Sequence, residues 1–352
     1  MKVLATLVII LTHLPPLLAQ PSGERLKDIA EQYYPGMLIG ACTHNGFYQF
    51  EDADVFINTH TSEFNSMTAA NTLKQSAING RGRGIYSWSE ADRHVLYAKE
   101  HDMHFRGHAL FYFNPTPKWV GSVPADEIVD LMKEHMDAVI GRYHSKGPLP
   151  VHAWDVWNEL FSKQSGVWEK ATDEQGKKIG NYGLAKMAFE YAHQLDPDAE
   201  LILDEGWKWY LDDDVTADVY TACERLVADN VPIDGIGFQL HHKSVATLLD
   251  SERLDRTMAK FKAIGLDIWI TEFDHVDEGK GQAHYYRQAM QIALKYRARA
   301  FQMWGTTEKY GWSKGGYIFK ENQDSKGGYY EAKPAYYAIQ EALKAPKNGA
   351  RK

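Results

Sequence analysis

Cysteine is almost missing from this 352-residue chain: Cys42 and Cys223 stand alone, so no disulfide framework staples the fold and its stability has to come from a hydrophobic core. Proline (13) and glycine (28) are sparse and 44% of the residues are hydrophobic, which excludes collagen-like, low-complexity and disordered chains. Positive charge is in deficit too. Against 47 Asp and Glu stand 39 Lys and Arg, a formal charge of −8, which is the wrong sign for a surface that binds nucleic acid. Beyond Ala19 no apolar run reaches the roughly 20 residues needed to span a bilayer, so no stable membrane association is expected. No Ser-, Pro- or Gly-rich linker marks off a second domain. No Gly-rich phosphate turn follows the first apolar run, which argues against an open nucleotide-binding sheet.

What is present begins with an export signal. Met1 to Ala19 carries one charge at Lys2, an apolar run from Val3 to Leu11 and a small residue at Ala19 where cleavage fits. Pro15 and Pro16 follow the run, which is too short for a membrane anchor. The mature chain is therefore expected outside the cell, or in the periplasm of a host with an outer membrane, and as a monomer. Residues 344–352 form a short basic tail that reads as a frayed end. Whether Cys42 and Cys223 pair is left open.

Short apolar, β-branched or aromatic runs recur along the chain: Met37 to Thr43, Glu63 to Met67, His104 to Leu110, Val151 to Val156, Glu200 to Leu203, Gly235 to Leu240, Ile268 to Thr271 and Ala300 to Trp304. Between them lie helical-period stretches, among them Ser89 to His101, Pro124 to Tyr143, Tyr182 to Leu195, Thr216 to Ala228, Leu254 to Ile264 and Gly281 to Tyr296. Eight alternating strand and helix units suit a single α/β domain, a closed (β/α)8 TIM barrel. Polar and acidic residues gather at the strand ends: His108, Asn158 with Glu159, His241 and Glu272. A barrel of this kind carries its active site there.

Glu159 ends the run Val151-His-Ala-Trp-Asp-Val-Trp-Asn-Glu159, where desolvation by Trp154 or Trp157 would favour the neutral acid. A lone glutamate at a strand end is usually a cap or half of a salt bridge. Ile268-Trp-Ile-Thr-Glu272-Phe-Asp274, however, puts a second carboxyl at the end of another apolar run three strands later. Two such carboxyls facing each other across a barrel mouth suit glycosidic cleavage with retention. That reaction needs one protonated acid and one ionised nucleophile about 5–5.5 Å apart.

The two motifs resemble the acid/base and nucleophile motifs of family 10 glycoside hydrolases, the endo-β-1,4-xylanases. Phe64 to Lys74 and Phe105 to Tyr112 with Pro117-Lys-Trp119 resemble the family's second and third strands, Asp234 to His241 its sixth and Gln302 to Trp312 its eighth. The similarity covers residues 25–343 and implies a TIM barrel. It implies further that Glu159 is the general acid/base, Glu272 the nucleophile, and Asn158 the group that holds the 2-hydroxyl of the sugar being cleaved. His241 would aim Glu272, and Asp274 would bond the other side of that imidazole. Asn71, Lys74 and His108 would bond sugars on the non-reducing side, Tyr112 and Gln239 would join the substrate-binding set, and Trp304 and Trp312 would wall the pocket.

Departures from the pattern cluster. An acid expected before Asn71 is Ala70, a Trp-His pair is Tyr112-Phe113, a glutamine is Pro115, and Asp204-Glu-Gly-Trp207 replaces an Asn-Asp-Tyr-Asn run, which would remodel the flanking sugar subsites on both sides. His101-Asp-Met-His104 lacks a third ligand at useful spacing, so no metal is expected, and no cofactor. One Gly80-Arg-Gly-Arg-Gly84 repeat in an acidic chain reads as a turn, with no nucleic acid as partner. The expected partner is xylan or a related hemicellulose. The alternatives are a retaining glycosidase for a different or decorated β-glycan, and a non-catalytic barrel that binds carbohydrate or an inhibitor.

Overall fold

Each of the eight apolar runs from Met37 to Trp304 yields a strand, and the strands close on themselves. A computed structural model describes residues 23–345 except 164–165, 207–208, 243–248, 277–280 and 323–327, so the export signal, Trp207 and most of the basic tail lie outside the described residues. The barrel strands are β1 (Leu38–Thr43), β2 (Ser66–Ala69), β3 (His104–Gly107), β4 (Ala153–Asn158), β5 (Glu200–Glu205), β6 (Gly235–Phe238), β7 (Asp267–His275) and β8 (Ala300–Met303). Each runs parallel to the next, and β8 pairs with β7 (Ala300 with Trp269) and with β1 (Leu38 with Ala300), which closes an eight-stranded barrel. The expected (β/α)8 TIM barrel is the observed fold. Helices α1 (Leu26–Tyr33), α2 (Ala53–Glu63), α3 (Ser89–Glu100), α4 (Ile128–Arg142), α5 (Gly180–Leu195), α6 (Asp213–Ala228), α7 (Ser251–Ala263), α8 (Gln282–Lys295) and α9 (Pro334–Lys344) complete it. The start of α6 shows why such segments become helical. Asp212 accepts the free N–H groups of Asp214 and Val215 at 3.0 and 3.1 Å, and Val219, Cys223 and Leu226 then fall on one buried stripe. Cys42 and Cys223 are both buried and free.

Strand boundaries differ from the sequence reading where side chains find distant partners. Glu63, read as the start of the second strand, instead ends α2, because its buried carboxylate accepts Leu26 N–H at 3.1 Å, Arg25 at 3.1 Å and the Tyr336 hydroxyl at 2.9 Å. Two strands leave the ladder and rejoin it. After β3 the chain steps out and Phe111–Tyr112 pairs with Trp157 and Asn158 of β4. After β6, with Leu240 at φ +57°, His241–His242 pairs with Asp274 and His275. The seventh strand runs four residues past Thr271, so Glu272 lies within it.

The barrel interior is layered. At the bottom Leu38, Ala153, Ile202, Trp269 and Ala300 form an apolar plug. Above it lies a polar layer around the buried Arg106, whose guanidinium bonds Gln302 Oε1 (2.6 Å), Thr271 O (2.8 Å), Asp155 Oδ2 and, at 3.5 Å, Asp204 Oδ2. Gln302 passes the network on to Ser66 Oγ at 2.6 Å, and Thr271 Oγ1 donates to Asp204 Oδ1 at 2.7 Å. A buried cation is tolerated only when paired and bonded in this way, and removing one partner of such a pair costs about 3–5 kcal/mol. Gly107 of β3 is obligatory beside it, since a Cβ there would meet the Trp154 ring at 2.3 Å. The polar layer is the floor on which the site stands.

Candidate active site

The C-terminal strand ends open into a cleft of about 510 Å³ lined by the two glutamates, Asn71, Lys74, His108, Tyr112, Asn158, Gln239, His241, Trp304 and Trp312. All the residues assigned from sequence to catalysis or sugar binding therefore share one cleft, with Asp274 directly behind His241. Two local devices aim the carboxyls. A register shift between Asp155 and Trp157 on the β5 side turns β4, and the chain then passes through Glu159 at φ +58°, a left-handed conformation costly for a residue with a Cβ. The Glu159 N–H still bonds Asp204 O at 2.7 Å. On β7 the alternation of a strand puts Glu272 and Asp274 on the same face.

His241 lies between them. Its Nε2 is 2.8 Å from Glu272 Oε2 and its Nδ1 is 3.0 Å from Asp274 Oδ2. Both partners are acceptors, so both ring nitrogens carry protons and the ring is an imidazolium. Burial alone would lower its pKa, but Asp274 and then Glu272 outweigh burial and raise it. For Glu272 the same balance has the opposite result. Burial favours the neutral acid, but the His241 bond and the charges of His108, His241 and Arg106 hold the carboxyl well below its ordinary range. Its second oxygen, Oε1, is buried without a hydrogen bond, 3.8 Å from His108 Nδ1.

Glu159 is shifted the other way. Burial raises its pKa, Glu272's charge adds to that, and the Gln239 bond offsets only part. The expected desolvating tryptophans pack elsewhere, Trp154 on Gly107 and Trp157 against Phe111 at 5.1 Å. Gln239, assigned to sugar binding from sequence, is also a bracket: its Nε2 donates to Asn158 Oδ1 at 3.0 Å and to Glu159 Oε1 at 3.1 Å, holding both against β6. Tyr112 faces the pair, and after burial it is the charges of Glu159 and Glu272 that raise its hydroxyl pKa. On the opposite wall Lys74 Nζ donates to Asn71 Oδ1 at 3.0 Å and lies 5.7 Å from the Tyr112 ring. His108 Nδ1 bonds Asp155 Oδ2 at 2.7 Å, and its ring meets Trp304 edge-on at 5.1 Å. Trp312, 49% exposed, stands edge-on to His241 at 5.0 Å.

A model of glycosyl hydrolase family 10 matches residues 25–342. The chain belongs to that family. Among family relatives, endo-1,4-beta-xylanase B of Thermotoga neapolitana is 32% identical over 339 residues, which take in 90% of this chain and 91% of that protein. Beta-1,4-xylanase of Dictyoglomus thermophilum is 30% identical, with 88% and 89% covered. The crystal structure of xylanase 10B from Thermotoga petrophila in complex with xylobiose matches with a TM-score of 0.79 at 28% identity, covering 92% of this chain and 98% of that one.

The departures from the family 10 pattern sort into two groups. Ala70 and Phe113 line the cleft and change its wall, whereas Pro115 is exposed and outside it. Asp204 and Glu205 do not touch the cleft at all. Asp204 sits in the polar floor, and Glu205 lies under the turn after Glu159, so neither alters a sugar subsite directly. Sequence reasoning missed His44 and Lys163, which also line the cleft, because each stands one residue or more past a strand end with no motif to mark it. Among the described residues His108, Asp155 and Asp204 come close enough to suggest a metal cluster, but Arg106 bonds both carboxyl groups and His108 Nδ1 bonds Asp155 Oδ2, so the atoms that face one another already have partners within the floor, while Asp155 Oδ1 has none. The string Gly311-Trp-Ser-Lys-Gly315 has the letters of a serine-hydrolase elbow, but it lies in a loop after β8 rather than on a strand-to-helix turn, and Ser313 N–H bonds Tyr317 Oη at 3.2 Å. A wider hollow of about 1180 Å³, lined by Tyr34, Met37, Gln288 and Arg299, opens where the strands begin and holds none of the site residues.

Proposed function

We propose that this family 10 protein is an exported, retaining endo-1,4-β-xylanase that cuts internal β-1,4 links of xylan without a cofactor. The observation that carries the reading is a pair of buried carboxyls in one cleft shifted in opposite directions, Glu159 toward the neutral acid and Glu272 toward the ionised base. The relatives named as xylanases supply the substrate class. In the first step Glu272 Oε1 attacks the anomeric carbon while Oε2 stays anchored on His241. The bond to the leaving oxygen breaks, and the Glu159 proton goes to that oxygen. In the second step Glu159, now ionised, takes a proton from water, the water oxygen bonds the anomeric carbon, and the ester to Glu272 breaks. Two inversions give net retention. Asn158, fixed by Gln239, is placed to bond the 2-hydroxyl, a contact that strengthens as positive charge develops at the anomeric carbon. Trp304 and Trp312 offer indole walls to the apolar faces of the sugars.

Product analysis on glucuronoxylan, arabinoxylan and mixed-linkage glucan tests this reading, with wild type run beside Glu272→Ala and Glu159→Ala. Short xylo-oligosaccharides from wild type, lost in the first variant and strongly reduced in the second, are expected. Because Ala70 offers no acceptor and Phe113 no hydrogen bond, a decorated or different β-glycan is the second reading. It replaces the first if plain xylan is left intact while another glycan is cut. Binding without turnover on any of them makes the protein a non-catalytic barrel.

A further inference from the structure

The turn that carries Glu159 is laced to the neighbouring strand by a residue the reaction itself does not use. Glu205, the last residue of β5, is fully buried, and its Oε1 and Oε2 accept the backbone N–H groups of Phe161 at 3.0 Å and Ser162 at 2.9 Å. Ser162 answers from the other side. Its Oγ accepts Gly206 N–H at 2.9 Å. Gly206 fits closely against the same turn, since a Cβ there would stand 3.4 Å from Glu159 Cγ and Cδ and 2.9 Å from Ser162 Oγ. The segments 159–162 and 205–206 thus form one closed lattice, and at its head stands the left-handed Glu159.

Physical chemistry explains why an acid is needed there. Past the end of β4 the N–H groups of Phe161 and Ser162 have lost their ladder partners, and a buried N–H without an acceptor is costly. One carboxyl bridging both satisfies them and fixes the spacing of three peptide planes directly after Glu159. We propose that Glu205 is a positioning residue for the acid/base: by gripping the Phe161 and Ser162 N–H groups it holds the left-handed turn that points the Glu159 carboxyl at the leaving oxygen. This assignment rests on the reading of Glu159 as the proton donor. The two carboxyls also sense each other. Burial lifts Glu205 to about 7 against the pull of Ser162 and the two N–H groups, and the charge of Glu159 adds to the lift.

Leaving-group dependence separates this role from a general contribution to folding. Cleavage of phenyl β-xylobioside needs the Glu159 proton on the departing oxygen, whereas a dinitrophenolate departs without one. Glu205→Gln keeps the shape but turns an amide N–H₂ toward one of the two backbone donors. It is expected to lower kcat/KM on the phenyl glycoside by on the order of 10–100-fold, as a misplaced acid does, and to leave the dinitrophenyl glycoside within about twofold. Glu205→Asp, which keeps both acceptors, is expected to recover most of the loss. An equal loss on both substrates, or no loss on either, overturns the proposal. Should Glu205→Gln fail to fold, Ser162→Ala must show the same selectivity on a smaller scale, and its absence there overturns the proposal as well. Glu159→Ala serves as the reference. If it shows no leaving-group selectivity, the acid/base reading itself fails. If it does and Glu205→Gln does not, only the positioning role fails.

Discussion

Replacing His241 by phenylalanine tests the electrostatics of the site at its centre. The imidazolium donates to Glu272 Oε2 at 2.8 Å and to Asp274 Oδ2 at 3.0 Å, and its ring lies 6.1 Å from Trp304 and 5.0 Å from Trp312, so a phenyl ring of similar shape keeps the packing and removes only the donors and the charge. A hydrogen bond to a charged group is worth about 1.5–3 kcal/mol, and one pKa unit corresponds to about 1.36 kcal/mol. Losing the His241 bond therefore raises the Glu272 pKa by about 1–2 units. The sign follows from which form reacts. As the proposed nucleophile Glu272 must be ionised, so kcat/KM is expected to fall as pH drops through its depressed pKa, and raising that pKa moves the acid limb upward. The assay is the pH profile of kcat/KM on an aryl xylobioside, after circular dichroism has confirmed folding at 25 °C, because stranding buried carboxylates also costs about 3–5 kcal/mol of stability. An acid limb that stays in place or moves down refutes the assigned role of His241. The same linkage predicts where the pair stabilises the fold. The His241 contribution is complete below the ordinary histidine value of 6.5 and is lost as pH rises through its raised value, while that of Glu272 is complete above the ordinary 4.5 and is lost as pH falls through its lowered one.

Asp204→Asn tests the polar floor. Burial first, then Asp155 and Glu272, hold the Asp204 carboxyl well above its ordinary pKa, so the folded protein keeps a proton that the unfolded chain loses, and the wild type loses stability as pH rises above the unfolded value. The amide keeps the Thr271 bond and has no proton to lose, so denaturant titrations should show the variant gaining on wild type from pH 4 to pH 8, and a gain that does not grow with pH contradicts the assignment. Trp312→Ala removes an indole wall that is 49% exposed, and a loss of roughly 1–2 kcal/mol of apolar contact predicts a 5- to 30-fold higher KM on xylotetraose with kcat changed less. An unchanged KM places Trp312 outside the sugar path.

The barrel was legible in the sequence because each strand is an apolar run bounded by polar residues, and the candidate site residues were legible because they end those runs. Asn158, Glu159, His241 and Glu272 fall together in the cleft for that reason, with Asp274 behind His241. What escaped depends on partners far away along the chain. Glu63 reads as a strand start until Leu26 and Tyr336 are brought to its carboxylate, and the helix Ala53–Glu63 went unread with it. Arg106 interrupts an apolar run with a charge, and only closure of the barrel supplies Asp155, Asp204 and Gln302 around it. The second role of Gln239, its hold on Asn158 and Glu159, was not legible because it crosses from the end of β6 to the end of β4. Glu205 stood inside a segment already marked as unusual, but the signal pointed to sugar subsites, and its bonds to Phe161 and Ser162 exist only because β5 lies beside β4.

The central claim is a covalent glycosyl ester on Glu272, and trapping that ester tests it most directly. With a dinitrophenyl 2-fluoro-β-xylobioside, the fluorine slows both steps while the good leaving group keeps the first accessible, so the intermediate accumulates. Mass spectrometry of the digested protein is predicted to find one xylobiosyl unit on the peptide containing Glu272, and none when Glu272→Ala is treated alike. A label on any other residue, or continued turnover with inverted products and no label, contradicts the account.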